Sequence, residues 1–205
     1  MGEAIGLIGG SFDPVHFGHL VIARFVAEAL SLARMIFVPS AQPPHKPPES
    51  LAPGHHRLAM VRLAVTEEAL FDVSDCELTR SGPSYTVDTI AQFRDLCGPR
   101  VQLCWVIGSD SLAELATWKD VPALVSSCRI VTVPRPGNEH PDLGPLERLL
   151  SKDQVAELRR GFLDAPRIDI SATDIRQRVR KGLSIRYLVP ETVREYILAN
   201  RLYRA

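Results

Sequence analysis

The chain has 205 residues with 24 basic and 24 acidic side chains, so its formal net charge at pH 7 is zero. A neutral balance excludes a broad basic face for long nucleic acids, because such binding rests on many phosphate contacts. Hydrophobic residues make up 45% of the chain, which is enough for a full core, yet no apolar run is long enough to span a bilayer. Without a signal-like start or a C-x-x-C pair, we expect a reduced cytoplasmic protein without membrane or nucleic-acid partners.

Strands and helices are predicted to alternate along the chain. Apolar runs typical of buried strands lie at residues 5–8, 35–38, 71–74, 101–107 and 129–133, with a further short strand near 168. Helical spacing of apolar residues is found at 20–32, 55–68, 87–96 and 121–126, and two later helices are predicted to begin at Thr173 and Pro190. This alternation predicts right-handed crossovers. We therefore expect residues 1–205 to form one α/β domain, a Rossmann-like doubly wound parallel sheet with C-terminal helices.

The turn after the first strand concentrates residues that suit phosphate. It reads Gly9-Gly10-Ser11-Phe12-Asp13-Pro14-Val15-His16-Phe17-Gly18-His19. Glycines let a ligand approach the backbone, and a helix N-terminus offers unpaired N–H groups and partial positive charge. The three-residue spacing can place both imidazoles on one side of the first helical turn. We interpret the segment as a polyphosphate site. There are two alternatives. One is a packed turn in which the histidines have no function, and the other is a zinc site at the two histidines, which the lack of a nearby third ligand in the sequence disfavours.

Residues 10–19 resemble the G-x-F-x-P-x-H-x-G-H signature of nucleotidyltransferases related to class I aminoacyl-tRNA synthetases. Further segments are similar to those of bacterial nicotinate-nucleotide adenylyltransferases. They are a P-P-H-K segment ending at Lys46, an I-G-x-D-x-x-x-x-L-x-x-W segment ending at Trp118, and an I-S-A-T-D-I-R segment ending at Arg176. In the last segment alanine stands where serine is common in the family. The resemblance covers the whole chain.

The resemblance implies roles at the phosphate end of the site. The implied catalytic residues are His16, His19, Lys46 and Arg176. The implied ATP-binding residues are Gly9, Gly10, Ser11, Phe12, His16, Gly18, His19, Ser171, Thr173 and Arg176. By pattern, Ser171 and Asp174 also form a capping box, which makes a second helix N-terminus suited to anions. No resident metal is expected; Mg²⁺ would arrive with ATP, since the sequence shows no carboxylate cage.

A second set of residues is implied for nicotinate mononucleotide. It comprises Ser84, Tyr85, Thr86, Gly108, Asp110, Trp118, Lys119 and Arg135. Ser84 or Thr86 is expected to cap the following helix, and backbone N–H groups there could equally hold a carboxylate. Asp110 is suited to ribose hydroxyls and Trp118 to stacking on a pyridine ring, whereas capping a helix and filling the core are the structural alternatives.

The function implied by the resemblance is adenylyl transfer in NAD biosynthesis. ATP and nicotinate mononucleotide would give nicotinate adenine dinucleotide and pyrophosphate. A related transferase that uses phosphopantetheine or CTP would share the histidine turn, but the Ser84–Thr86 and Asp110–Trp118 segments argue against it. A nucleotide-binding sensor without turnover would share the fold, but retention of both histidines and Arg176 argues against that. The expected partners are the two small-molecule substrates, and assembly of identical chains is left open.

Overall fold

Five parallel strands form one sheet in the computed structural model, which describes residues 3–43, 51–138 and 141–204. The strands are β1 (Ala4–Gly10), β2 (Arg34–Pro39), β3 (Phe71–Val73), β4 (Gln102–Gly108) and β5 (Arg129–Val133). Their order in the sheet is β3-β2-β1-β4-β5. The chain first winds outward from β1 to β3 and then returns to the other side of β1. The crevice between the carboxyl ends of β1 and β4 is therefore the switch point at which doubly wound sheets bind ligands.

Helices lie between and after the strands. They are α1 (Phe17–Ala29), α2 (Gly54–Val65), α3 (Cys76–Thr79), α4 (Thr86–Cys97), α5 (Ser109–Glu114), α6 (Val121–Ser127), α7 (Gly144–Glu147), α8 (Lys152–Arg160), α9 (Ala172–Arg180) and α10 (Glu191–Ala199). A short 3-10 turn, Leu115–Thr117, follows α5. Across the described part of the chain, no helix is both long enough and apolar enough to cross a membrane.

The core has two layers because successive strand residues point to opposite faces of the sheet. On β1, Ile8 belongs to the cluster that includes Val26 of α1 and Ile197 of α10. Leu7 belongs to the cluster on the other face, with Ile90 of α4 and Leu124 of α6. Both faces are thus covered, which is the usual situation for an all-parallel sheet.

The five main strands and the parallel doubly wound sheet are confirmed, but the strand predicted near residue 168 is wrong. Residues 163–170 have no regular structure, and Phe162 makes only an isolated bridge to Thr132. Pro166 within this segment lacks the N–H that a ladder needs. The first helix begins at Phe17, three residues before the predicted start at 20, so that both histidines of the turn belong to its N-terminus.

Candidate active site

A cleft of about 670 Å³ opens at the carboxyl edge of the sheet, where β1 and β4 end. This volume lies in the usual range for a small-molecule site. All but one of the described residues predicted for the site line the cleft: Gly9, Gly10, Ser11, His16, Gly18, His19, Ser84, Tyr85, Thr86, Gly108, Asp110, Trp118, Lys119, Arg135, Ser171, Thr173 and Arg176. Lys46 lies outside the described residues. The exception is Phe12, whose buried side chain does not line the cleft.

The two histidines form the first turn of α1. His16 is the N-cap residue and its backbone N–H donates to Nδ1 of His19 at 3.2 Å. In its neutral form His19 therefore carries its proton on Nε2. The two ring centroids are 3.7 Å apart and the planes are inclined by 32°. A Cβ atom at Gly18 would lie 3.0 Å from Nδ1 of His16, so the absence of a side chain at this position leaves room for the His16 ring.

His16 is an uncharged imidazole at neutral pH. Only 3% of the residue is exposed, and burial together with the nearby positive charge of Arg135 lowers the pKa of His16 to about 4. Both causes penalise the protonated ring. For His16 the structure therefore favours a neutral ring. The fixed positive charges of the cleft are instead those of its arginine and lysine side chains.

We predict that His16 makes folding stability pH-dependent between about 6.5 and 4. The pKa of His16 is lower in the folded state than in the unfolded state. On acidification, His16 therefore becomes protonated in the unfolded chain at a pH at which it stays neutral in the native protein. This stability is fully present above the unfolded pKa and is lost as the pH falls towards the folded one. The loss amounts to about 3 kcal/mol at most.

The measurement is denaturant unfolding at several pH values for the parent protein and for His16→Gln, with the same substitution at exposed His55 as the matched control. The His16→Gln variant should lose less stability than the parent across this interval. Parallel curves for parent and variant would contradict the assignment.

Phe12 supports the histidine turn from below. Its ring meets His19 edge-on with centroids 5.0 Å apart and lies 5.7 Å from the ring of Phe37. The residue is buried, with its backbone in the left-handed region at φ 46°. Its side chain therefore contributes to the position of His19 and does not reach the cleft, so any contact of Phe12 with ATP would come from the backbone.

Asp13 is a buried carboxylate beneath the same turn, with only 1% of the residue exposed. Its Oδ1 accepts a hydrogen bond of 2.6 Å from the hydroxyl of Tyr203 and one of 3.3 Å from the backbone N–H of Ala52. Arg176 donates from Nη1 to the backbone carbonyl of Asp13 at 2.7 Å and lies 3.7 Å from Oδ2. Burial and the charge of Asp13 raise the pKa of Tyr203, which keeps its hydroxyl protonated as a donor. Asp13 thus connects the turn to α9 and to the C-terminal segment.

Arg57 of α2 is a second buried partner of the turn. Its Nη1 donates to the backbone carbonyl of Ser11 at 2.7 Å, and its Nε donates to that of Ala52 at 2.8 Å. Burial lowers the pKa of Arg57, while the charge of Asp13 opposes this effect. The backbone of the turn is therefore held by two arginine side chains, Arg57 at the carbonyl of Ser11 and Arg176 at that of Asp13.

Tyr203→Phe is predicted to lower the free energy of unfolding by about 1–3 kcal/mol, because it removes a donor from a buried carboxylate. Exposed Tyr187, 82% of which is accessible to solvent, provides the matched control Tyr187→Phe. Thermal or denaturant unfolding of the two variants is the measurement. Equal stability of both variants would show that the hydroxyl of Tyr203 contributes nothing to the fold.

The second helix N-terminus is formed as predicted at Ser171. Its hydroxyl accepts the backbone N–H of Asp174 at 3.1 Å, which confirms Ser171 as the N-cap of α9. One turn later Arg176 reaches across to Asp13, and its Nη2 is 3.4 Å from the hydroxyl of Thr173. The guanidinium is 20% exposed on its side-chain atoms, so part of it remains open to the cleft.

On the β4 side, two charged side chains lie against the end of the strand. A Cβ atom at Gly108 would overlap Oδ1 of Asp110 and would lie 2.9 Å from Cγ of Arg135. Arg135 is held through its backbone N–H, which donates to the hydroxyl of Ser109 at 2.9 Å. Gly108 is the N-cap residue of α5, so Asp110 is not its N-cap, but Oδ1 of Asp110 accepts the backbone N–H of Ser111 in the first turn at 2.9 Å. The glycine gives both side chains room beside the carboxyl end of β4.

Ser84 is not a helix cap, contrary to prediction. Tyr85 is the N-cap residue of α4 and makes no capping bond with its side chain, and Thr86 is the first helical residue. The hydroxyl of Ser84 instead accepts the backbone N–H groups of Ala41 at 2.9 Å and Gln42 at 3.3 Å. It therefore joins this segment to the loop after β2.

Lys119 and Trp118 occupy the wall beside Tyr85. The Nζ of Lys119 is 2.9 Å from each carboxylate oxygen of Asp88 and 4.7 Å from the centroid of the Tyr85 ring. Trp118 is half-buried: it packs against the core cluster on this face and also lines the cleft. Core packing and a ring-stacking surface are thus compatible for the same side chain.

Trp105 and Glu77 are among the cleft residues that the sequence analysis did not name. Trp105 on β4 is buried, and a Cβ atom at Gly9 would overlap its ring, so glycine on β1 makes room for the indole. Trp105 lies inside an apolar run, so the sequence around it does not indicate a place in the cleft; only Gly9 on the neighbouring strand leaves room for its ring. Glu77 lies in the short helix α3, which apolar spacing cannot detect. Both line the cleft.

A parallel sheet with a phosphate-suited cleft at its switch point defines a nucleotide-binding α/β protein. In agreement, the family model described as cytidylyltransferase-like matches residues 7–178. Proteins named probable nicotinate-nucleotide adenylyltransferase, from Moorella thermoacetica and from Roseiflexus sp., are each 42% identical to the chain. The matches cover 98% of this chain and 91% and 98% of those relatives. The chain therefore belongs to the nicotinate-nucleotide adenylyltransferase family within the cytidylyltransferase-like proteins.

The fold is also similar to that of solved structures. The nicotinic acid mononucleotide adenylyltransferase of Plasmodium falciparum, complexed with NaAD, superposes with a TM-score of 0.78 at 18% sequence identity. The match covers 98% of this chain and 97% of that one. A nicotinate-nucleotide adenylyltransferase structure from Vibrio parahaemolyticus gives a TM-score of 0.70, also at 18% identity, over 98% of this chain and 96% of that chain. At these identities the likeness extends to the fold alone.

Proposed function

We propose that the protein joins ATP and nicotinate mononucleotide to give nicotinate adenine dinucleotide and pyrophosphate, a step of NAD biosynthesis. One observation carries the proposal: the histidine turn and Arg176 share a single cleft with Trp118 and the Ser84–Thr86 segment. The first group suits a polyphosphate, and the second suits an aromatic ring that bears a carboxylate. The names of the full-length relatives support the same activity. The phosphopantetheine and CTP-dependent alternatives have no comparable support.

The reaction is a displacement at phosphorus. A phosphate oxygen of nicotinate mononucleotide attacks the α-phosphorus of ATP, and the bond from that phosphorus to the oxygen bridging to the β-phosphate breaks. Pyrophosphate leaves with the electron pair of the broken bond. The attacking phosphate is already ionised, so no protein base is needed, and catalysis consists of positioning and charge stabilisation.

The described residues fit these tasks in different ways. His19, with Nδ1 occupied by the N–H of His16, donates from Nε2 to an α-phosphate oxygen. His16 acts as a neutral ring beside it. Arg176, fixed by Asp13, holds the departing phosphates with the part of its planar fork that faces the cleft. Lys46, which lies outside the described residues, stays the second cation predicted for those phosphates.

Mg²⁺ belongs to the ATP substrate in this proposal. Within the described ranges, no group of three or more His, Cys, Asp or Glu side chains is placed to hold a metal ion. Mg²⁺ commonly keeps several waters and binds substrate phosphates. The ion therefore enters as the ATP complex, held mainly by phosphate oxygens and water.

The acid is recognised by backbone donors. As the first residue of α4, Thr86 has an N–H without a carbonyl partner inside the helix. Lys119 is paired with Asp88, and the N-terminus of α4 adds positive potential beside this pair. A carboxylate accepts from such donors with both oxygens, whereas an amide would present one NH₂ to a donor. Trp118 supplies the stacking face for the pyridine ring.

The whole chain acts as one unit in this proposal, a single nucleotidyltransferase domain over residues 1–205. The contact between Tyr203 and Asp13 supports it, because it joins the C-terminal segment to the histidine turn. ATP and nicotinate mononucleotide are the partners, and the cytoplasm is the compartment in which we place the reaction.

His19→Ala is predicted to lower kcat about a hundredfold, the usual scale for loss of a preorganised stabiliser of transition-state charge. Pyrophosphate release under saturating substrates is the measurement, with exposed His55→Ala as the matched control. The unfolding midpoint should change little, because His19 borders the cleft. Parent-like turnover by His19→Ala would remove this residue from the mechanism.

Nicotinate mononucleotide is predicted to be preferred over its amide by about tenfold to a hundredfold in kcat/KM. The reason is the buried donor-to-donor mismatch of the amide, which costs roughly 1–3 kcal/mol. Competition of the two mononucleotides in one reaction, with the two dinucleotide products separated, measures the ratio directly. A ratio of one or below would overturn recognition by backbone donors while leaving adenylyl transfer in place.

A further inference from the structure

A buried carboxylate lies behind the Ser84–Thr86 segment, and the reaction described above does not use it. Glu77 of α3 is only 4% exposed, and one edge of it lines the cleft. Its Oε1 accepts a hydrogen bond of 2.6 Å from the hydroxyl of Thr89. The hydroxyl of Ser84 lies near this carboxylate and, like that of Thr89, counters the rise in the pKa of Glu77 that burial causes. Glu77 thus accepts a hydrogen bond from Thr89 and lies beside the Ser84 segment.

Ser84 joins the segment beside this carboxylate to the loop after β2. Its oxygen accepts the N–H groups of Ala41 and Gln42 at 2.9 and 3.3 Å. The backbone N–H of Ser84 also donates to the carbonyl of Gln42 at 3.0 Å. The position of Ser84 is therefore set by its bonds to this loop.

Thr89 connects the same carboxylate to the first turn of α4. It is completely buried and does not line the cleft. Its hydroxyl gives its single proton to Glu77 and accepts from Nη2 of Arg80 at 3.0 Å. Donor and acceptor capacity of this hydroxyl are both used. Since Thr89 follows Thr86 by three residues, its hydroxyl fixes the helical turn whose first N–H faces the nicotinate end.

We propose that Glu77 and Thr89 are positioning residues that set the selectivity for nicotinate mononucleotide by fixing the first turn of α4 relative to α3, beside the Ser84 segment. The inference rests on the proposed function. Recognition of an acid by backbone donors depends on where those donors lie, and a misplacement of about 1 Å can cost a hundredfold in rate. Backbone donors have no side-chain freedom to correct their direction. The buried hydrogen bond between Thr89 and Glu77 supplies the missing rigidity.

Thr89 provides a sharper test than Glu77, because Glu77 itself borders the cleft and its removal could change a direct contact. Thr89→Val keeps the shape of the side chain and removes the hydroxyl, whereas Thr89→Ser keeps the hydroxyl. Thr66→Val, at an exposed threonine, is the matched control. For each protein, KM for nicotinate mononucleotide, KM for ATP, kcat, the acid-to-amide ratio of kcat/KM and the unfolding midpoint are measured.

We expect Thr89→Val to raise KM for nicotinate mononucleotide about tenfold and to lower the acid-to-amide ratio by a similar factor, the scale of one unsatisfied buried partner. KM for ATP should change less than twofold, and Thr89→Ser should restore most of the selectivity. An unchanged ratio in Thr89→Val overturns the inference. The inference is also overturned if Thr89→Val raises KM equally for nicotinate mononucleotide and ATP and lowers the unfolding midpoint, because that result indicates a general defect of the fold. A parent protein that forms no dinucleotide overturns the proposed function instead.

Discussion

The contacts of the Asp13 carboxylate are the constraint on which the arrangement of the phosphate end depends. A buried charge is costly unless donors and opposite charges surround it. Here the required groups come from the C-terminal segment through Tyr203, from α9 through Arg176, and from α2 through the charge of Arg57. One buried carboxylate therefore interacts with three distant parts of the chain beside the turn that carries the histidines, although its Oδ2 has the ion pair with Arg176 and no hydrogen bond. The same contact that completes the fold also fixes the guanidinium facing the cleft.

Charge is divided unequally around this turn. His16 is buried beside Arg135 and remains neutral, so its contribution is a directed ring and not a full charge. Arg176 keeps its charge and has part of its surface in the cleft. In the proposed reaction a polyanion would meet the charge of Arg176 and the neutral ring of His16. Such preorganised groups need not reorient as charge shifts from the attacking oxygen to the leaving group.

Local patterns predicted the sheet well and the connections between distant residues poorly. The main strands were found because parallel strands buried on both faces read as continuous apolar runs. Helix α8 was missed because only Val155 and Leu158 of it are buried, although Ser151 and Gln154 form a capping box at its start. The part played by Asp13 could not be predicted, because its partner Tyr203 lies 190 residues away in the sequence and nothing local distinguishes that tyrosine. The cleft residues His16, Gly108 and Arg135 were predictable because they lie at the carboxyl ends of β1, β4 and β5, where the topology gathers them. The Ser171–Arg176 segment follows no strand, and only its motif predicted its place in the cleft.

The two ends of the cleft are built on the same physical principle. At the phosphate end a buried carboxylate, Asp13, accepts from Tyr203 and a backbone N–H, and at the other end Glu77 accepts from Thr89. Each carboxylate has several lone pairs, so it can hold segments from different parts of the chain in one geometry. In the proposed site the acidic side chains would give the walls their positions, while arginines and helix N-termini would present positive potential to anionic ligands.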